Sequence, residues 1–239
     1  MNNEPETEAK SASGWPCRPI WGAGRSATLW ASFTLAVILW PDLGQAAPSF
    51  SFDARAFEKI KEERGVAVYK HRHSKLIRVG AIGRLPGAPT VVQRVLLDYG
   101  RQKGRIARVS ESRIVERGPN WLLVYQRLNL PVISDRDFVL RVTWGQSGET
   151  RWIRYQAVRR GGPGPRDGAV RVTDHVGTWF LRPADGGRST EARLEVRIDL
   201  AGWLPRWLAR SGAGKELPGV YSDIAGLLRT HSYVSERRK

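Results

Sequence analysis

The sequence predicts an α+β fold in which a long antiparallel meander is flanked by helical segments. Three observations lead there. From Ile106 to Leu200 apolar residues recur at every second position, and clusters of Gly, Pro, Asn and Ser cut the run into strand-length pieces. The piece 190–200 alternates most cleanly. Ala192, Leu194, Val196 and Ile198 point one way and Glu191, Arg193, Glu195, Arg197 and Asp199 the other, so one face is covered and one is wet. On either side of this region the apolar period lengthens to that of a helix.

Taken in order, the chain begins with 25 polar, Gly- and Pro-containing residues without periodicity. Thr28 to Trp40 is then an uncharged apolar run of 13, short against the about 20 residues that a membrane-spanning helix needs. Arg18 and Arg25 precede it, and Gly44-Gln45-Ala46 follows with small residues at −3 and −1. This is the arrangement of a secretory signal peptide cut after Ala46. The expected organisation is a signal peptide or N-terminal membrane anchor over 1–46 and one domain over 47–239, exported to the periplasm or secreted. If the leader is not cut, residues 28–40 anchor the chain to a membrane.

A first helix is expected over Phe50 to Arg64, with Asp53 as N-cap, Phe52 and Phe57 as a hydrophobic staple, and Gly65 as the stop. Strands follow at 66–72 and 76–85. Pro86-Gly87-Ala88-Pro89 breaks the sheet, and Val92, Val95, Leu96 and Tyr99 form the buried stripe of a second helix opened by Pro89. Six strands are predicted at 106–117, 121–130, 136–145, 150–160, 169–181 and 190–200. Between them Gly161 to Gly168 is the longest loop and is expected to be mobile. The chain then returns to helix in two apolar stripes, Leu204, Trp207 and Leu208, then Val220, Ile224, Leu227 and Leu228. Gly212, Gly214 and Pro218 predict a broken or kinked final helix.

Composition narrows the chemistry. Cys17 is the one cysteine, so no intramolecular disulfide can form. Four histidines without a Cys-x-x-Cys or His-Glu-x-x-His spacing give no metal site, and no cofactor motif is present. No serine sits in a Gly-x-Ser-x-Gly elbow, and Gly161-Gly162-Pro163-Gly164 lacks the lysine and helix of a phosphate loop. Asp135 and Asp137 are paired carboxylates, but Arg136 and Arg141 lie close in sequence, so a structural ion-pair role is expected rather than acid–base catalysis. No catalytic residue is assigned and an enzyme is not expected. The net charge is +16, and residues 1–46 hold only three basic residues against four acidic ones, so the rest of the chain is more basic still. Such a surface favours anionic lipid headgroups or nucleic acid, the latter ranking last because an exported protein rarely meets it.

The stretch VYQRLNLPVISDRDFVLR, residues 124–141, resembles the central strand pair of the START (StAR-related lipid-transfer) family. GVAVYKHR at 65–72, VVQRVLLDY at 91–99, RVSESRIVER at 108–117 and GWLPRWL at 202–208 agree in order and spacing. The resemblance, to a bacterial START-like member of the helix-grip (SRPBCC) superfamily, spans about residues 53–230. It implies a helix-grip fold: a curved antiparallel β-sheet wrapped around a long C-terminal helix, with a hydrophobic cavity between them. It further implies binding, and possible transfer, of a lipid or other hydrophobic small molecule. The chain is expected to be a monomer, and its basic surface to dock it transiently on anionic membranes. A cyclase- or aromatase-like enzyme of the same superfamily is the alternative. The candidate ligand residues are Arg141, Tyr125, Phe138, Trp179, Trp207, Leu208, Ile224 and Leu228. Arg141 is the charged group inside an apolar strand that such cavities use for a ligand's polar end. Alternation places it with Asp137, Val139 and Thr143, so it meets solvent instead if the face of Phe138, Leu140 and Val142 lines the cavity. Sterol-binding relatives place an acidic partner on the preceding strand, where this chain has Gln126. Trp207, beside Arg206 and Arg210, suits either a membrane interface or packing beneath the final helix.

Overall fold

The computed structural model describes residues 55–74, 76–202 and 214–230. Among them ten strands form one sheet. In chain order these are β1 (Phe57–Glu63), β2 (Val66–His71), β3 (Ile77–Pro86), β4 (Val109–Arg117), β5 (Trp121–Leu128), β6 (Asp135–Ser147), β7 (Thr150–Ala157), β8 (Ala169–Arg171), β9 (Asp174–Ala184) and β10 (Ser189–Asp199). The spatial order is β1-β2-β3-β10-β9-β7-β6-β5-β4, antiparallel throughout, with the short β8 parallel to the start of β6. Two helices, α1 (Pro89–Leu97) and α2 (Leu217–Leu228), lie on the concave face. This is the helix-grip arrangement of a large curved sheet and a C-terminal helix. No helix among the described residues is long and apolar enough to cross a membrane.

Most elements start within three residues of where the alternation places them, and three departures have physical causes. The segment expected as a first helix is strand β1 from Phe57 onward; Asp53 and Phe52 lie outside the described residues. Arg64 and Gly65 both take left-handed dihedrals (φ 54° and 72°), making a two-residue hairpin that closes Glu63 onto Val66. Phe57 and Ile60 would share a helix face, but here Phe57 is buried and Ile60 exposed. β4 begins at Val109 rather than Ile106, because Arg108 is left-handed (φ 67°). The predicted strand 169–181 is two strands. β7 ends at Ala157, so Asp135 to Asp137 of β6 lack a neighbour on that side until β8 pairs with them.

The charged run Asp135-Arg136-Asp137 opens strand β6, and its three side chains hold three other segments. Asp135 pairs with Arg127 of β5 at 2.6 Å. Arg136, buried to 1% exposure, donates from Nε to the Leu200 carbonyl (2.8 Å) and from Nη2 to the Ala201 carbonyl (3.1 Å), fixing the end of β10. Asp137 is completely buried and accepts from Arg171 Nε (2.8 Å), Arg171 Nη2 (3.0 Å) and Tyr125 Oη (3.2 Å). Arg171 Nη2 also donates to the Pro163 and Gly164 carbonyls, each at 3.0 Å. The Gly161–Gly168 loop is thereby pinned, with Gly162 so close to Val139 that a Cβ would meet it at 2.4 Å. The neutralising arginines are Arg127 and Arg171, not Arg136 and Arg141. Successive strand side chains point to opposite faces, so Arg136 cannot reach Asp137.

On the concave face α1 packs on β7, β9 and β10, and α2 packs on β2, β3 and α1. Tyr221 of α2 fixes the second contact: its hydroxyl donates to the carbonyls of Ala192 (2.9 Å) and Ala81 (3.2 Å). Gly83 leaves room for the ring, since a Cβ there would lie 3.0 Å from it. Gly214, just before α2, is similarly tight, 3.1 Å from Ile60 and 3.3 Å from Val68. The expected helical stripe from Leu204 to Leu208 and Gly212 lie outside the described residues.

Removing one partner of a buried, hydrogen-bonded ion pair leaves an uncompensated charge and costs about 3 to 5 kcal/mol. Asp137→Ala is therefore expected to lower the unfolding free energy obtained by urea titration by that amount, and Asp137→Leu combined with Arg171→Leu to recover a large part. A loss below about 1 kcal/mol for Asp137→Ala would show that the pair does not hold β6, β8 and the loop together.

Candidate functional site

Between the two helices and the inward side chains of β5, β6, β7, β9 and β10 lies a cavity of about 530 Å³. That is within the range of sites that take one small organic molecule. Its walls follow from strand alternation. Phe138 and Leu140 come from β6, Trp179 from β9, Leu194, Val196 and Ile198 from β10, and Val220 and Ile224 from α2. The exposed liners Arg108, Pro131, Lys215 and Glu216 make up the rim. The rim is tied across by an Arg108–Glu216 ion pair at 3.3 Å and by the Ala107 N–H donating to Asp223 Oδ2 of α2 at 2.8 Å.

A small polar set interrupts the apolar wall. Gln126 Nε2 donates to Gln102 Oε1 (2.8 Å) and to Ser112 Oγ (3.1 Å), and Gln102 Nε2 donates to the Leu96 carbonyl (3.1 Å). Tyr99 and Tyr155 line the cavity, and burial raises both phenols above their ordinary range, so they stay protonated. Tyr155 lies flat over Gly177, where a Cβ would meet its Cζ and hydroxyl at 2.1 Å. His175 stands on the wall with its ring edge-on to Phe138 (5.0 Å) and Tyr155 (5.1 Å). Its Nδ1 has no hydrogen-bond partner among the described residues, and burial pulls its pKa down to about 4.

Of the residues singled out from the sequence, Phe138, Trp179 and Ile224 line this cavity, and Leu228 is buried in the core beyond it. Arg141 and Tyr125 do not. Arg141 is exposed on the convex face, its guanidinium 3.9 Å from the centre of the Trp121 ring. Tyr125 belongs to the outer cluster with Leu123 and Val139, flanked by Arg113 and Arg166. Both have the parity of Val139 and so point away from Phe138. Tyr125 and Trp179 lie on separate strands, β5 and β9, with β7 and β6 between them. Trp207 and Leu208 lie outside the described residues. Gln126 occupies the cavity wall, bonded to Gln102 and remote in register from Arg141, which faces Leu123. His175, Tyr155 and Gln102 are not among the residues the sequence marks, and Tyr99 is marked there only as part of a buried helical stripe. His175 was accessible to pattern reading, since it shares the parity of Trp179, four positions on.

With its native pKa depressed below the unfolded value, His175 contributes stability in full above about pH 6.5 and loses it as pH falls toward about 4. Over that window the unfolded chain takes up a proton that the folded chain refuses, a loss of about 3 kcal/mol. Urea unfolding from pH 7.5 to 4 should show this extra slope in the native chain and its absence in His175→Phe. Parallel curves would refute the buried neutral imidazole.

The START domain family model matches residues 60–231. No curated protein matches the sequence significantly. Among solved structures, a STAR-related lipid transfer protein from Xanthomonas axonopodis is 23% identical, with 73% of this chain and 99% of that one aligned at a TM-score of 0.67. Human STARD10 is 16% identical over 81% and 86% of the two chains at 0.67, and human StAR-related lipid transfer protein 5 is 18% identical over 79% and 90% at 0.66. These likenesses are of fold: the same curved antiparallel sheet and C-terminal helix. With the family model matching well over half its length, the chain belongs to the START domain family.

Proposed function

We propose that this protein encloses one hydrophobic small molecule, a lipid, and carries it to or from a membrane without chemical change. The observation that carries this reading is the apolar cavity of about 530 Å³ beneath α2. Each methylene moved from water into such a site is worth about 0.8 kcal/mol, so sequestration needs no covalent step. The family supports the same reading. α2 is the lid, and the Arg108–Glu216 and Ala107–Asp223 contacts are the ties that must release for exchange.

The rim is also the proposed membrane contact. Leu130 and Pro131 lead from the cavity to Val132, which is 82% exposed and held left-handed (φ 72°). A β-branched residue in that conformation costs about 1 to 3 kcal/mol, which contact with acyl chains would offset. Arg105, Arg108 and Lys215 stand exposed nearby and would add about 1 kcal/mol each against anionic headgroups. Export behind a leader cut after Ala46 would put the protein in an envelope compartment, where it would act as a monomer.

Protein purified from its own cells is expected to show a one-to-one lipid adduct in native mass spectrometry, and its intact mass to begin at Ala47. Protein that is empty, and that stays empty after incubation with total-lipid vesicles, would overturn the carrier reading. Val132→Asp should weaken co-sedimentation with phosphatidylglycerol vesicles several-fold while the unfolding midpoint holds or rises, because aspartate tolerates left-handed dihedrals better than a β-branched residue. Equal sedimentation would remove the rim as the docking surface.

A further inference from the structure

The chemical class of the ligand can be read from how polarity is distributed around the cavity, on the premise that the cavity is the binding site. The formally charged liners, Arg108, Lys215 and Glu216, are all exposed at the rim, and two of them are paired with each other. None of the buried liners is an acid, a lysine or an arginine. A carboxylate or phosphate drawn inside would therefore leave water with no counter-charge to receive it. A zwitterionic headgroup would meet the same wall twice.

The interior is nevertheless not wholly apolar. Both amide N–H groups of Gln126 and one of Gln102 are already used within the protein, and the Gln102 oxygen accepts from Gln126. His175 is different. It is 9% exposed, it lines the cavity, and its Nδ1 has no partner among the described residues. Its ring cannot swing away to find one, because Phe138 and Tyr155 meet it edge-on at 5.0 and 5.1 Å. An imidazole can both donate and accept, so it can serve a hydroxyl or a carbonyl equally. A ligand without such a group would leave the ring unsatisfied, the situation in which polar sites discriminate most strongly.

We propose that the cavity selects an uncharged lipid carrying a hydroxyl or carbonyl group, and that the imidazole of His175 is the side chain that hydrogen-bonds that group. Phe138 and Tyr155 hold the ring in place, and the aliphatic wall from β10 and α2 takes the hydrocarbon.

Three probes of one chain length separate the terms: oleyl alcohol, 1-octadecene and oleate, each competing with Nile red bound to the full chain at pH 7. The alcohol is expected to bind at least tenfold more tightly than either of the others. In His175→Phe the preference for alcohol over octadecene should fall below threefold while octadecene binds as well as before. In His175→Gln, which restores a hydrogen-bonding group, much of the preference should return. Nile red binding by each variant reports that its cavity is intact, and His175→Leu, which should lose the preference in the same way, carries the test if His175→Phe does not fold. Oleate binding as tightly as the alcohol, or an alcohol preference unchanged in His175→Phe or His175→Leu, overturns the inference and leaves the carrier reading standing. Failure of Nile red and all three probes to bind the native chain overturns both.

Discussion

The structure depends on a buried carboxylate. Asp137 has no exposure, and Arg171 and Tyr125 bring three donors to it. Those donors come from β8 and β5, and the same arginine holds the carbonyls of the glycine-rich loop. The residue before it, Arg136, faces the other way and clamps the end of β10 through Leu200 and Ala201. Two adjacent side chains of β6 thus fasten the convex loop and the concave strand end. This dense polar joinery stands beside a cavity that is nearly without it. The rigidity of the wall is supplied from outside, so the inside need not be filled.

An unfilled apolar space is a destabilising feature in a close-packed protein, because its lining loses dispersion contacts. The compensation is visible in how α2 is attached. Tyr221 reaches past the inner surface to two backbone carbonyls, on β3 and β10, and Asp223 caps the Ala107 amide on the other side. The helix is held by directed hydrogen bonds at its flanks and leaves the volume beneath its Val220 and Ile224 side chains open.

Much of this was legible in the sequence, because the sheet's period of two is a local property. Alternation along FVLRVTW decides that Phe138 and Leu140 share one face and Arg141 the other, and the same parity governs Tyr125. What alternation alone leaves open is which face is roofed, and that depends on where α1 and α2 come to rest. The helix expected over Phe50 to Arg64 shows the opposite failure. Its caps and staple were locally reasonable, but Arg64-Gly65 serves a hairpin as well as a helix stop, and pairing with β2 prevails. Partners distant in sequence were not legible at all. Nothing near Asp137 points to Arg171, and nothing near Arg136 points to the carbonyls of Leu200 and Ala201. The imidazole of His175 was missed because a lone histidine in a strand carries no spacing signal; only its parity with Trp179 marks it.

Gly177 has a wider consequence. Tyr155 rests in space that any other residue at 177 would occupy, within 2.1 Å of the ring's far end. One wall of the cavity is therefore set by a cross-strand pair of which one member has no side chain. Exchanging the two sizes, a small residue at 155 and a larger one at 177, would shift the boundary without altering the sheet's register or its polar joints. The protein's choice of ligand size is in that sense a separable trait, able to drift at a pair of positions while the fold around it stays constant.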